Sequence, residues 1–301
     1  MYDILIIGGG PAGLTAAIYA RRAGKSVLIL EKSAFGGQIT WSPKVENFPT
    51  HQSISGIELG DRMMEQVMAL GADTDLEEVI AIEDRGDYKR VLCEFGAEYE
   101  AKTVILAAGA KPRMLRLEKE EELQGSGVCY CAVCDGAFFK GQDVAVYGGG
   151  NSALQDAVLL AEICRRVYLI HRRDSFRGEE RLAAQLREKS NVTILLNTTV
   201  TALHGEEELT GITVSTAGQE RELSLSGLFV AIGHEPELGN FAGVIALDGN
   251  GYAEADESCL TATPGVFVAG DCRKKTVRQL TTAMADGSAA ALAACAYTDN
   301  H

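Results

Sequence analysis

Apolar and polar positions in this chain switch between two periods. Residues 3–7 (DILII) are a short apolar run, 11–23 carry apolar residues at helical spacing, and 27–31 (VLILE) return to an apolar run. Such an order predicts strand, helix, strand. The same order returns 140 positions later as strand 143–147, helix 151–164 and strand 167–170, followed by a helix over 178–188. Residues 57–70 follow the pattern IxLxxxMMxxVMxL, an amphipathic helix. Three β-type runs come next at 78–84, 88–94 and 98–105, with turn signals at 84–87 and near Gly96. A β-type run at 228–232, a strand at 266–269 and a final Ala-rich helix complete the pattern.

Two breaks interrupt it. Ala-Gly-Ala-Lys-Pro ends at Pro112, and Gly233-His234-Glu235-Pro236 forms the second. Glycine and proline there stop regular structure. Two links to one stretch imply an insertion: residues 1–112 and 241–301 form a discontinuous outer domain, and 113–240 an inner one. The expected fold is α/β, two Rossmann-like (three-layer ββα) dinucleotide-binding domains, the second inserted in the first.

Composition narrows this further. A length of 301 residues allows two domains of roughly 150 each. The chain is 46% hydrophobic and 23% charged, as in soluble globular proteins, and its net charge of −14 disfavours a nucleic-acid surface. The apolar stretch at 283–296 contains Asp286 and is too short and polar to span a bilayer, so no membrane partner is expected. The chain opens directly in a strand with no basic and apolar leader pattern, and a cytoplasmic location is the expectation. In a reducing compartment most of the eight cysteines are expected to be buried thiols.

The chemistry sits at the strand–helix junctions. Residues 6–17 read IIGGGPAGLTAA, and 146–157 read VYGGGNSALQDA. In a G-x-G-x-x-G/A turn the first glycine permits the bend, the second lets backbone approach a pyrophosphate, and the third permits helix–strand packing. Gly8, Gly10 and Gly13 fit these places, with Glu31 at the end of the next strand to accept from ribose hydroxyls. The alternative is a structural glycine turn. In the second copy the places fall to Gly148, Gly150 and Ala153, and the acid is replaced by His171-Arg172-Arg173 with Arg177 four residues on. Arginines pair with a 2′-phosphate that an acid would repel, which points to NADPH; a solvated basic strand end is the alternative.

Cys131-Ala-Val-Cys134 has the spacing of a redox pair. A zinc site would need further ligands, and no second paired motif exists. The reading is a reversible disulfide, against a chance pair of core thiols, with Asp135 able to relay protons. Cys129 reads as packing, with an alternative disulfide as the lesser reading. Cys93, Cys164, Cys259, Cys272 and Cys295 have no evident partner, and burial is expected.

GGGPAG at 8–13, GGQ at 36–38, VENFP at 45–49, CAVCDG at 131–136, GGGNSA at 148–153, HRRDSFR at 171–177, GVFVAGD at 265–271 and RQLTTA at 278–283 make a combination far more specific than any member. With these motifs the chain resembles, end to end, the low-molecular-weight bacterial-type thioredoxin reductases, class II of the pyridine nucleotide-disulfide oxidoreductases. The resemblance implies FAD at the first site, with Gln38, Asn47, Asp271, Arg278 and Gln279 added to its lining. It implies NADPH at the second, with Asn151 and Ser152 added. It makes Cys134 the flavin-facing sulfur, Cys131 the attacker of the thioredoxin disulfide, and Asp135 the acid–base group. It further implies a homodimer, thioredoxin as partner, and rotation of the inner domain between half-reactions.

Departures from the family pattern are Asn151 where many relatives have Asp, still expected to cap its helix, Gly178 in place of a helix former, and Cys272 with the run Arg273-Lys274-Lys275. Rival readings are a relative acting on another disulfide, a reductase drawing on ferredoxin, and a non-enzymatic nucleotide-binding redox sensor. The retained arginines favour NADPH over ferredoxin.

Overall fold

The protein, described as a computed structural model, is defined over residues 1–301. It divides into two units: Met1–Lys111 with Glu235–His301, and Pro112–His234. From the N-terminus come β1 (Tyr2–Ile7), α1 (Pro11–Arg22), β2 (Val27–Glu31), α2 (Gly56–Ala69), β3 (Asp73–Leu76), β4 (Val79–Asp84), β5 (Lys89–Cys93) and β6 (Glu98–Leu106). The chain crosses to the inserted unit through β7 (Lys111–Pro112). There it forms β8 (Val128–Cys129), α3 (Ala132–Asp135), β9 (Asp143–Tyr147), α4 (Asn151–Ile163), β10 (Arg166–Ile170) and α5 (Glu180–Glu188). Then follow β11 (Val192–Leu195), β12 (Thr198–His204), β13 (Gly211–Thr216), β14 (Gln219–Ser224) and β15 (Gly227–Val230). It returns through β16 (His234–Glu235), which pairs with β7, and ends in β17 (Val266–Val268) and α6 (Leu280–Asn300).

In the first unit the sheet runs β3-β2-β1-β6-β5-β4, with β17 on the far end of β6. The members β3, β2, β1, β6 and β17 are parallel, and the β4–β5 hairpin joins the start of β6 antiparallel. Successive side chains of a strand point to opposite faces. Ile4 and Ile6 therefore pack with α1 and α6, while Leu5 and Ile7 pack with the β4–β5 hairpin and with Leu238, Phe241 and Val244. A Cβ on Gly287 of α6 would overlap the Ala12 carbonyl of α1, so glycine there sets how closely these helices approach.

The inserted unit has a parallel sheet in the order β11-β10-β9-β15-β8 and an antiparallel β12-β13-β14 meander. Val144 and Val146 face α4 and α5; Ala145 and Tyr147 face the meander. Both units are thus β-layer, sheet and helix layer, the α/β architecture expected from the sequence.

Three readings change. The second domain boundary lies at His234/Glu235 rather than after residue 240. The reason is packing: Leu238 and Phe241 are buried in the first unit, and Glu237 forms ion pairs with Lys32 and Lys111. β3 had no apolar pattern to announce it; its Asp-Thr-Asp-Leu sits on a sheet edge, where charge is tolerated and discourages further pairing. The helix expected from Gly178 begins at Glu180. No helix is long and apolar enough to cross a membrane.

Candidate functional site

The first glycine turn follows β1. Gly8 has φ 109°, and a Cβ there would overlap the Ala107 carbonyl. A Cβ on Gly13 would overlap the Gly8 carbonyl oxygen, so glycine lets α1 lie against the strand end. Gly10 is different: the nearest atom to an added Cβ is Gly37 Cα at 3.8 Å. It caps α1 with no side-chain hydrogen bond, leaving the positive end of the helix for an outside acceptor. Glu31 holds the turn from below: its Oε2 accepts from Gly9 N at 2.7 Å and its Oε1 from Ser33 N at 3.0 Å.

The second turn repeats the pattern. A Cβ on Gly148 would overlap the Ala231 carbonyl, while nothing lies within 4 Å of one on Gly150. Ala153 takes the third place, buried. Asn151 does not cap α4 as expected. Gly150 is the cap, and Asn151 Oδ1 accepts from Glu179 N at 2.7 Å, tying the start of α5 to the start of α4. Ser152 is exposed on the first turn of α4. The arginine segment docks on the same loop, since Arg177 N and Gly178 N donate to Gly149 O at 2.8 and 3.1 Å. Gly178 is needed there: an added Cβ would lie 2.6 Å from Leu154 Cδ1 and 3.0 Å from Asn151 N.

Within the HRR segment the side chains separate. His171 is buried beneath Gly149, where an added Cβ would overlap its ring, and it lies 5.6 Å from the Phe176 ring. Burial, aided by the neighbouring arginines, lowers its pKa, and it packs as a neutral ring rather than presenting itself to solvent. Arg172, Arg173 and Arg177 are exposed and form no ion pair. Three exposed, unpaired guanidiniums therefore belong to the segment that docks on the Gly149 loop.

Cys131 and Cys134 form a disulfide, with Cα atoms 5.3 Å apart. Cys131 caps α3, its Sγ accepting from Cys134 N at 3.2 Å. Val133 between them is exposed. Burial pushes the Asp135 carboxyl up to about 6, against a hydrogen bond from Cys129 that lowers it. The remaining six cysteines are free and buried. Burial raises Cys93, Cys164 and Cys259 to about 11 and Cys272 to about 12, which keeps these thiols protonated and unreactive.

In the first unit, Asn47 Nδ2 lies 3.4 Å from Gln279 Oε1, and Gln38 Nε2 donates to Ala110 O at 3.1 Å. Gln279 caps α6 in a reciprocal capping box with Thr282. Arg278 stacks over Tyr252 at 4.1 Å and donates to Asp271 O at 3.2 Å, bracing the turn after β17. Sequence reasoning missed the carboxylate behind that turn. Asp286, buried on α6, accepts from Gly270 N at 3.1 Å, Arg273 at 3.0 and 3.2 Å, and Lys275 at 3.1 Å. Lys275 also pairs with Asp271 at 3.4 Å. The only sequence signal was one acid within an alanine run and the basic run that follows Gly-Asp.

Comparison with known proteins matches this arrangement. A family model for pyridine nucleotide-disulphide oxidoreductases covers residues 2–287. The thioredoxin reductase of Mycolicibacterium smegmatis is 42% identical over 297 residues, covering 97% of this chain and 95% of that protein. The thioredoxin reductase of Bacillus subtilis is 39% identical over 302 residues, covering 99% and 95%. The crystal structure of thioredoxin reductase from Streptococcus pyogenes superposes with a TM-score of 0.95 at 39% identity, over 100% of this chain and 99% of that one. This chain belongs to the pyridine nucleotide-disulphide oxidoreductase family.

Proposed function

We propose that the protein is a thioredoxin-disulfide reductase that uses NADPH and FAD. The observation that carries the reading is the Cys131–Cys134 disulfide in a unit that also holds a glycine turn bordered by three unpaired arginines.

The residues fit the cofactors. Gly10 and the α1 N-terminus leave room and positive potential for the FAD diphosphate. Gln38, Asn47, Asp271, Arg278 and Gln279 line the rest of that site, and Glu31 serves the ribose from the place where it anchors Gly9. In the inserted unit Gly150, Asn151, Ser152 and Ala153 receive the NADPH diphosphate. Arg172, Arg173 and Arg177 take the 2′-phosphate, with His171 supporting the loop from beneath. When bound, NADPH supplies a hydride and FAD carries the electron pair on to the dithiol.

The protein's own atoms do the rest. Reduction opens the Cys131–Cys134 bond. Cys131 thiolate attacks the thioredoxin disulfide to form a mixed disulfide, and Cys134 attacks Cys131 Sγ to release reduced thioredoxin. Asp135, next to Cys134 and able to hold a proton near neutral pH, supplies and recovers the proton. The two chain crossings at β7 and β16 allow the inserted unit to rotate between half-reactions. The active species is a homodimer in the cytoplasm.

Cys134→Ser tests the assignment. The variant is expected to keep NADPH-driven bleaching of the flavin colour and to lose thioredoxin reduction; retained thioredoxin reduction overturns it. A covalent crosslink between the two units is expected to stop turnover while sparing one half-reaction, and unimpaired turnover removes the rotation.

A further inference from the structure

Glu120 is 1% exposed, and the chemistry proposed above does not use it. Its carboxylate accepts from four donors. Oε1 takes Leu115 N at 2.8 Å and the Tyr130 hydroxyl at 2.9 Å. Oε2 takes Arg116 N at 2.6 Å and Leu117 N at 3.4 Å. Tyr130 is the residue before Cys131. We propose that Glu120 is a positioning residue for the redox pair, acting through the Tyr130 hydroxyl to fix where Cys131 lies. The proposal rests on the redox role given to Cys131 and Cys134 above.

A buried carboxylate is costly unless its oxygens are matched by donors. The backbone supplies most of the match. Arg116 has φ 62°, in the left-handed region, and the amides of Leu115, Arg116 and Leu117 converge on one place. Successive amides arranged so form a cradle for an anion, and Glu120 fills it with its own side chain. Backbone bonds from Leu123 N to Lys119 O and from Val128 N to Leu123 O, both 3.0 Å, then carry the chain into β8. One carboxylate thus ties the segment that follows β7 to the approach to Cys131.

The Tyr130 ring is half-buried and packs with Leu115, Leu117, Leu123 and Val128 on the meander side of the sheet. Apolar contact of this kind has no direction. The bond from the hydroxyl to Glu120 does, and it pins the ring. Burial and the Glu120 carboxylate raise the Tyr130 pKa, so the phenol stays a donor. Cys131 follows in extended conformation, and its Sγ accepts from Cys134 N. A planar peptide fixes the distance between consecutive Cα atoms, so a shift of Tyr130 carries Cys131 with it. Holding two groups in bonding geometry lowers the entropy lost when they join. The anchor on Tyr130 therefore favours closure of the Cys131–Cys134 disulfide.

The test uses the flavin-loaded enzyme as wild type, Tyr130→Phe, Glu120→Gln and the double variant. The readout is the equilibrium of the Cys131–Cys134 pair against reduced and oxidised glutathione without oxygen, read by thiol trapping and peptide mapping. Tyr130→Phe keeps the ring and the three backbone bonds to Glu120, and decides the matter alone if Glu120→Gln does not fold. It is expected to shift the equilibrium toward the dithiol roughly three- to tenfold, the strength of one hydrogen bond to a charged group. The double variant is expected to shift it no further than Glu120→Gln alone, because the two residues act as one. An equilibrium unchanged in Tyr130→Phe overturns the proposal, even where its Tm falls, and so do additive shifts in the double variant. If NADPH leaves the wild-type pair oxidised while Tyr130→Phe still shifts the glutathione equilibrium, the anchor stands and the thioredoxin reductase reading falls.

Discussion

The two glycine turns share a backbone plan and differ in what stands beneath the middle glycine. At the aligned position that ends the second strand, the first unit has Glu31 and the second has His171. Glu31 accepts the Gly9 N–H and so places a negative charge against the turn. His171 instead slides its neutral ring under Gly149. The next residues, Arg172 and Arg173, then remain exposed. Under the proposed function, one loop geometry serves two riboses and a single strand-end position tells them apart. An acid would then serve free hydroxyls, and a buried ring followed by arginines a phosphate.

The third position of the turn separates the two most sharply. Gly13→Ala would drive a methyl into the Gly8 carbonyl, whereas Ala153 already fills its place in the second turn. Gly13→Ala is expected to yield protein without bound flavin by its absorbance. Ala153→Gly is expected to leave flavin content and NADPH use nearly unchanged. Equal effects at the two positions would break the comparison.

The arginines come next. Arg172→Ala or Arg173→Ala is expected to raise KM for NADPH roughly ten- to hundredfold, the strength of one charged hydrogen bond. KM for NADH should hardly move, so the measured NADPH/NADH preference falls by the same factor. A proportional loss with both nucleotides would return the arginines to a solvated strand end. Glu31→Gln keeps an acceptor for Gly9 N and loses only charge, so a weaker effect is expected, roughly fivefold in FAD dissociation constant or about 1 kcal/mol.

The smallest effect concerns two carboxylates, one buried and one half-buried. Asp286 in the first unit is matched by Arg273 and Lys275. Asp156 on α4 has no ion pair, and burial alone pushes its carboxyl up to about 7. Its folded-state pKa lies above the unfolded one, so the folded protein binds the extra proton. That favours folding at low pH and is lost as pH rises from about 4 to about 7. Asp156→Asn is therefore expected to raise Tm by a few degrees at pH 8 and not at pH 4; for this chain length roughly 1 kcal/mol corresponds to about 2 °C. Asp286→Asn should lower Tm instead, since it leaves two buried cations short of a partner. A rise in both would erase the contrast.

Much of this was legible in the chain, because the carriers of information are local. The turns at Gly8–Gly13 and Gly148–Ala153, and the pair Cys131 and Cys134, hold their chemistry within six consecutive residues. Strand and helix periodicity gave both parallel sheets. What escaped depends on distant partners. β3 is an edge strand whose charges hide any apolar pattern, and Glu237 reaches back to Lys32 to shift a domain boundary. Asn151 serves the start of α5 instead of its own helix. Asp286 meets Arg273 only once α6 has folded back over the turn after β17. His171 stands in the string HRR among the residues assigned to NADPH, and nothing in that string reveals that the first side chain turns under the loop.

In the proposed reaction, electrons from NADPH come to rest on Cys131 and Cys134. This is tested most directly by adding one equivalent of NADPH to the oxidised flavin-loaded enzyme without oxygen, then trapping thiols with an alkylating reagent and mapping them by mass spectrometry. New labels are expected at Cys131 and Cys134 and at no other cysteine. Consumption of NADPH with both positions left unlabelled would contradict it.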